Sequence, residues 1–339
     1  MVVDKESSLK PILASQGGLH LTAYLVNRGD VEDLQSQLRQ SLREAKAWLS
    51  EVLPPDELKK FLEPFQALQK ETRLLANVRG NIALFRNLEG FRMLALPVEV
   101  ERLCVVATTF HVKPLLRWIQ SDHTFLLLGF HANEAHLYLG NQNAFQKIGM
   151  LPVSTRRPHG HLEAWLKDYA KSGQTRLFLA GDPTLTNPYE ALGSPVAADF
   201  REESVGRLCA FVRRLLRIEE QIKIQESLIE FRIAEERRLA TNNIFRIAES
   251  ASRGEVRKLI VADRVSIFGK MDPRTGALSL HPFDLDHEDD DLLDDLAQTV
   301  LARAGEVVVA PIDSLPNAKP ALAILKSPAH HNELKGLSA

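Results

Sequence analysis

The sequence predicts an α/β fold laid out in three consecutive blocks, and three observations carry that prediction. Short β-type runs bounded by turn residues alternate with apolar stripes of helical period along the chain. One stretch, residues 202–239, keeps a helical pattern far longer than any other. Between two groups of strands lies Phe110-His111-Val112-Lys113-Pro114-Leu115-Leu116-Arg117, which reads as a junction linking two sheets. At 339 residues the chain exceeds what one core usually supports, so two or three domains are expected.

The first block opens with a strand over residues 19–26, ended by the turn Asn27-Arg28-Gly29-Asp30. Leu34, Leu38, Leu42, Ala45, Trp48 and Leu49 then recur every three or four residues, which places an apolar stripe on one helical face. Pro54-Pro55-Asp56 ends that helix and starts the next, whose buried face is Leu58, Phe61, Leu62, Phe65 and Leu68. Strands over 81–85, 91–96 and 104–107, broken by Gly90 and Pro97, complete an α/β block.

The second block starts with strands over 125–130 and 135–139, followed by a polar segment from Leu151 to His161 whose prolines, glycine and paired arginines predict a projecting loop. After a helix around 162–169, Arg176-Leu177-Phe178-Leu179-Ala180 runs into Gly181-Asp182-Pro183 and reads as a buried parallel strand. The long helix follows. Its apolar residues Val205, Leu208, Val212, Leu215, Ile222, Ile229 and Ile233 predict a face packed on the sheet. Glu219 and Glu226 interrupt the seam, so sustained coiled-coil positions are missing.

The third block alternates cleanly. Ile244, Ile247, Ala248 and Ala251 mark a helix ended by Gly254; strands are expected over 256–261 and 265–268, with the turn Asp272-Pro273-Arg274-Thr275-Gly276 behind them. Leu292, Leu293, Leu296, Val300 and Leu301 form a helix ended by Gly305, and strands over 307–310 and 321–325 close a small α/β/α sandwich. The residues after Ser327 read as a loose tail.

Composition narrows function by exclusion. A net charge of −2, with 25% charged residues, is not the footprint of a basic nucleic-acid-binding domain, and no DNA partner is expected. The two cysteines, Cys104 and Cys209, sit in apolar runs without metal-ligand spacing. No secretory signal and no membrane-length apolar run is evident, so a cytoplasmic location is expected.

Asp284, Asp286, His287, Glu288, Asp289, Asp290, Asp291, Asp294 and Asp295 form an acidic run. It lacks the glycine and terminal glutamate of a calcium loop and reads as a solvated helix start. His111, His123, His131 and His136 read as packing or surface residues. No nucleophile elbow, Walker loop or dinucleotide glycine pattern is present, so no catalytic residue, metal site or cofactor is assigned. The one segment with binding chemistry is the loop carrying Arg156, Arg157, His159 and His161, where guanidinium forks suit phosphate groups.

Four segments resemble the bacterial branch of the archaeal and eukaryotic release-factor/Pelota superfamily, the baeRF group. They are Gly80-Asn81-Ile82-Ala83-Leu84-Phe85 with Leu96-Pro97; Phe110 to Leu116; Leu177-Phe178-Leu179-Ala180-Gly181; and Ala251-Ser252-Arg253-Gly254-Glu255-Val256-Arg257-Lys258-Leu259-Ile260-Val261. They occur in the family's order. The resemblance implies an N-terminal α/β domain (1–121), a ribonuclease-H-like middle domain ending in the long helix (122–239) and an L7Ae-like C-terminal domain (240–339).

In release factors a Gly-Gly-Gln loop of the middle domain acts at the peptidyl-transferase centre. That loop would fall between the strand at 135–139 and the helix near Leu162, where this chain has Arg157-Pro158-His159-Gly160-His161, and Gly-Gly-Gln occurs nowhere. Ser172-Gly173-Gln174 reads as a helix-to-strand turn. The expectation is a non-catalytic translation factor that binds the ribosome or structured RNA. The alternatives are a divergent peptidyl-tRNA hydrolase or nuclease using His159 or His161, and a protein-interaction module using the long helix.

Overall fold

The computed structural model describes residues 5–78, 80–120, 124–131, 134–141, 145–152, 166, 176–196, 200–201, 204–281 and 290–326. It divides into two compact units, one of Met1–Lys5 and Ser121–Ile222, the other of Glu6–Gln120 and Lys223–Ala339.

The first part of the larger unit contains α1 (Lys5–Leu13), β1 (Gln16–Leu25), α2 (Val31–Val52), α3 (Pro55–Lys70), α4 (Thr72–Asn77), β2 (Asn81–Arg86), β3 (Phe91–Leu96), β4 (Leu103–Thr109) and α5 (Lys113–Gln120). Its sheet is antiparallel in the order β3-β2-β1-β4. The Asp30 carboxylate starts α2 by accepting the Glu32 amide at 2.9 Å. The predicted stripes of α2 and α3 bury Leu34, Leu38, Leu49, Phe61 and Phe65 against Leu21, Ala23, Ile82 and Leu84. Truncating Phe65 to alanine there would cost about 3–5 kcal/mol.

Strand alternation sends Tyr24, Ala83 and Phe85 to the opposite face, where Leu9 and Ile12 of α1 meet them. The sequence gives little sign of α1, because Lys10 and Pro11 occupy its last turn and leave only a short apolar stripe. Phe110–Lys113, read as a link, is a buried turn running into α5.

The smaller unit is built on β5 (Phe125–His131), β6 (Glu134–Gly140), β7 (Phe145–Pro152), β8 (Arg176–Ala180), the helical turn α6 (Pro183–Thr186) and β9 (Ser194–Val196). The sheet order is β7-β6-β5-β8-β9; β6 runs antiparallel to both β5 and β7, whereas β8 pairs parallel to β5 and β9 parallel to β8. Thus β8 is the parallel strand expected. β7 was unexpected: exposed Gln146 and Lys147 and the bulge at Leu137/Tyr138 blur its alternation, and it absorbs Leu151 and Pro152 from the predicted loop.

Helix α7 (Val205–Glu236) buries Val205, Leu208, Cys209, Val212 and Leu216 against Phe125, Leu127 and Phe178. From Lys223 onward it belongs to the larger unit, where Ile224, Leu228, Phe231 and Ala234 are the buried residues. Ile222, Ile229 and Ile233, expected in the packed stripe, are exposed. The helix carries two apolar rows at similar spacing, and the sheet takes the other one.

The remainder of the larger unit comprises β10 (Ala240–Thr241), α8 (Ile244–Ser252), β11 (Val256–Asp263), β12 (Phe268–Met271), β13 (Leu278–Leu280), β14 (Asp290–Asp291), α9 (Leu292–Ala302), β15 (Glu306–Pro311) and β16 (Ala321–Leu325). The order β10-β16-β11-β15 forms the centre of an α/β/α sandwich. Leu259, Val261 and Val309 face α8 and α9, while Ile260, Ala262 and Val308 face α7.

The strand expected at 265–268 begins instead at Phe268, because Arg264, at φ +54°, turns the chain as β11 ends. Gly254 closes α8 with φ +72°, as expected. At the end of α9 the left-handed residue is Ala304; Gly305 is needed because a Cβ there would lie 2.5 Å from Val300 Cγ1. The same core that packs α8 and α9 includes Phe110, Val112 and Leu115.

Candidate functional site

The densest polar constellation among the described residues surrounds the start of α5. Lys113 and Pro114 open this helix, and Pro114 contributes no N–H. The preceding donors still need partners in a buried setting. Asp294 of α9 supplies them across the fold: its Oδ1 accepts the Val112 amide at 2.9 Å and the Lys113 amide at 2.8 Å. The turn is held on every side. Gln298 Nε2 donates to Phe110 O at 2.8 Å, the His111 amide donates to Thr22 Oγ1 at 3.1 Å, and the Tyr24 hydroxyl donates to His111 O at 2.7 Å.

The charges are equally tied down. Lys113 Nζ, 3% exposed, lies 2.5 Å from Asp291 Oδ2 and also donates to Val265 O. His111 Nδ1 lies 2.5 Å from Asp294 Oδ2. Burial by itself would push the Asp294 carboxyl up, but His111 and Lys113 outweigh it and hold it below its ordinary value. Burial, with the Asp294 charge adding to it, pushes the Tyr24 phenol well above its ordinary value. Asp295 accepts the Thr109 hydroxyl at 2.9 Å.

This corrects the reading of the acidic run as a solvated helix start. Asp291 does cap α9, accepting the Leu293 amide, but Asp294 and Asp295 are 2% and 7% exposed. Residues 284–289 lie outside the described residues. His111, expected to be ordinary, is central to the cluster. The one signal was in α9 itself: beyond Asp294 and Asp295 its sequence carries no charge, and residues 292–300 are all buried.

His111, Asp291 and Asp294 bring ligand-type atoms within 4.8 Å of one another. The Lys113 ammonium already supplies the cation that these carboxylates need. A cavity of about 160 Å³ adjoins the cluster, bordered by Tyr24, Arg102, His111, Lys113, Arg117 and Arg264. Its guanidinium groups are engaged: Arg102 forks Glu44 at 2.8 and 3.0 Å, Arg117 meets Asp263 at 2.6 Å, and Arg264 reaches Glu99 at 3.3 Å. An anion entering there would compete with resident carboxylates.

Arg156, Arg157, His159 and His161 lie outside the described residues, as do His123 and Ser172-Gly173-Gln174. His136 is buried and pairs with Glu134 at 3.1 Å, and His131 is exposed at the end of β5. Burial pushes the Cys104 thiol up to about 12 and that of Cys209 up to about 11, so neither favours a thiolate nucleophile at neutral pH. Among the described residues no helix is long and apolar enough to cross a membrane.

Fold and site together define a multi-sheet α/β protein whose buried polar cluster positions a helix. No family model and no curated protein matches the chain. Among solved structures it is similar to Dom34 of S. cerevisiae, a translation termination-like factor involved in RNA quality control pathways, at 11% identity over 70% of this chain and 73% of that one, with TM-score 0.43. It is also similar to the archaeal translation termination factor aRF1 (12% identity, 96% and 97% coverage, TM-score 0.28) and to Archaeoglobus fulgidus Pelota (15% identity, 72% and 79% coverage, TM-score 0.31).

Proposed function

We propose that this chain is a ribosome- or structured-RNA-associated translation factor of the baeRF branch of the release-factor/Pelota superfamily, acting in rescue, stress or hibernation without peptide release. The observation that carries the reading is the middle sheet. Three antiparallel strands, β7-β6-β5, are extended on β5 by the parallel strands β8 and β9, a mixed sheet that supports the ribonuclease-H-like middle domain the sequence resemblance implies. The four resembling segments support it further, since each coincides with a core element: β2, the clamped turn before α5, β8, and the α8–β11 connection.

In this reading the domains are 1–121, 122–239 and 240–339, the last an L7Ae-like sandwich, and Arg156, Arg157, His159 and His161 make the RNA contact. The absence of Gly-Gly-Gln from the sequence removes the group that release factors use, and the polar cluster at α5 offers no substitute nucleophile. Co-sedimentation of the purified chain with vacant and with stalled ribosomes tests the proposal. Binding at low salt that weakens as salt rises, and that is lost in Arg156→Ala/Arg157→Ala, is the expected result. No binding at low salt overturns it.

A further inference from the structure

We infer that Ser15 and His20 form a nucleophile–base pair that hydrolyses esters of short carboxylic acids. Ser15 Oγ lies 2.7 Å from His20 Nε2, within the reach that general-base activation of a hydroxyl requires. The pair is built by the junction of α1 with β1. Between Gln16 and His20 the pairing of β1 with β4 shifts register, and there Gly17 and Gly18 take φ of +75° and +85°. Glycine adopts this left-handed backbone without strain, and the irregular stretch returns the imidazole to a hydroxyl five residues earlier. Ser15 is only half-buried and both glycines beside it are exposed, so a substrate can reach the hydroxyl.

The surrounding groups set the role of each partner. His20 Nδ1 faces Gly18 O at 3.4 Å; a carbonyl only accepts, so the ring proton belongs on Nδ1 and Nε2 is left to accept from Ser15. His20 is 1% exposed. Burial holds its pKa below the ordinary value against the opposing pull of the Gly18 carbonyl, the Glu89 charge and the Thr108 backbone, so at neutral pH the ring is free to take a proton. The Glu89 charge also favours the imidazolium once that proton has moved. Asn87 completes the arrangement: its Oδ1 accepts the Glu89 and Gly90 amides, each at 3.0 Å, which fixes the side chain so that Nδ2 donates to Ser15 Oγ at 3.0 Å. A donor fixed beside the nucleophile is placed to meet an oxyanion.

The reaction uses these groups in turn. Attack forms a bond from Oγ to the ester carbonyl carbon, the Oγ proton passes to His20 Nε2, and the carbonyl π electrons move onto oxygen beside Asn87 Nδ2. Collapse breaks the bond to the alkoxide, which takes the Nε2 proton and leaves as alcohol. Water then attacks the acyl group on Ser15 by the same relay and releases the acid. Asn87 and Phe110, whose ring packs edge-on against His20 at 4.5 Å, both line a cavity of about 60 Å³ together with Ile12, Phe85 and Arg92. Its apolar side takes a short alkyl chain, and its volume excludes a long one.

Reaction of the full chain with a fluorophosphonate, followed by peptide mass spectrometry, tests the inference. A single adduct on Ser15 is expected, with p-nitrophenyl acetate hydrolysed faster than p-nitrophenyl hexanoate. Ser15→Ala should abolish both adduct and hydrolysis with unchanged far-UV circular dichroism. His20→Gln, which keeps an acceptor for Ser15 but supplies no base, should slow both by roughly 100-fold or more. Ser15→Ala, at a half-buried position, decides the matter even if the buried His20 variant fails to fold. No adduct on Ser15, hydrolysis undiminished in Ser15→Ala, a preference for hexanoate, or an adduct rate indifferent to His20→Gln would each overturn it.

Discussion

The start of α5 and the exposed face of α7 depart from the usual distribution of polarity in opposite senses. At the first, Lys113, Asp291, Asp294 and Asp295 are withdrawn from water, and each finds an oppositely charged or hydrogen-bonding partner supplied by a distant element. Along the second, four isoleucines and a phenylalanine are about half exposed. Buried charges without partners would be prohibitive, so the cluster must be complete within the chain. Exposed apolar groups cost far less, so this face can stand in water. The difference separates a device that holds the chain together from one that looks outward.

Removing Asp294 should give the largest effect. Asp294→Ala strands two backbone amides and leaves His111 without its carboxylate; a loss of about 3–5 kcal/mol in urea denaturation of the larger unit is expected. Lys113→Met should cost about 3 kcal/mol, because Asp291 is left buried and unpaired. Adding Asp291→Asn to it should recover about 1 kcal/mol or more, a non-additivity that independent sites would not show.

The cluster also predicts a pH dependence. The folded Asp294 carboxyl titrates below its ordinary value of 3.8, so the unfolded chain binds more protons in that range. The stabilisation is therefore fully present above 3.8 and is lost as pH falls through the folded value. Stability measured by urea midpoints should drop with a slope of up to about 1.4 kcal/mol per pH unit below that point. Asp294→Asn, which keeps the acceptor oxygen, should flatten the slope.

Local periodicity made much of the fold legible. The stripes of α2 and α3, the parallel strand β8 and the turn closed by Gly276 are each specified by residues close in sequence. The clamp was not legible, since Val112 and Asp294 are 182 residues apart and nothing local to either indicates the other. Asp294 and Asp295 instead imitate an ordinary acidic first turn, the pattern that favours a solvated helix start. In α7, the row containing Ile222, Ile229 and Ile233 and the row containing Ile224, Leu228 and Phe231 have nearly the same spacing. Only the position of the sheet decides between them.

Tyr24→Phe is a finer test of the clamp. The hydroxyl's one hydrogen bond in the cluster goes to His111 O, and its removal leaves a carbonyl with less to accept from; a loss of about 1 kcal/mol is expected. The smallest stability change should come from the other region. Ile222→Lys replaces a half-exposed side chain that belongs to neither core, so the unfolding free energy from urea denaturation should change by no more than about 0.5 kcal/mol. A large loss of stability in dilute solution would instead make Ile222 a packing residue and erase the contrast between the two regions.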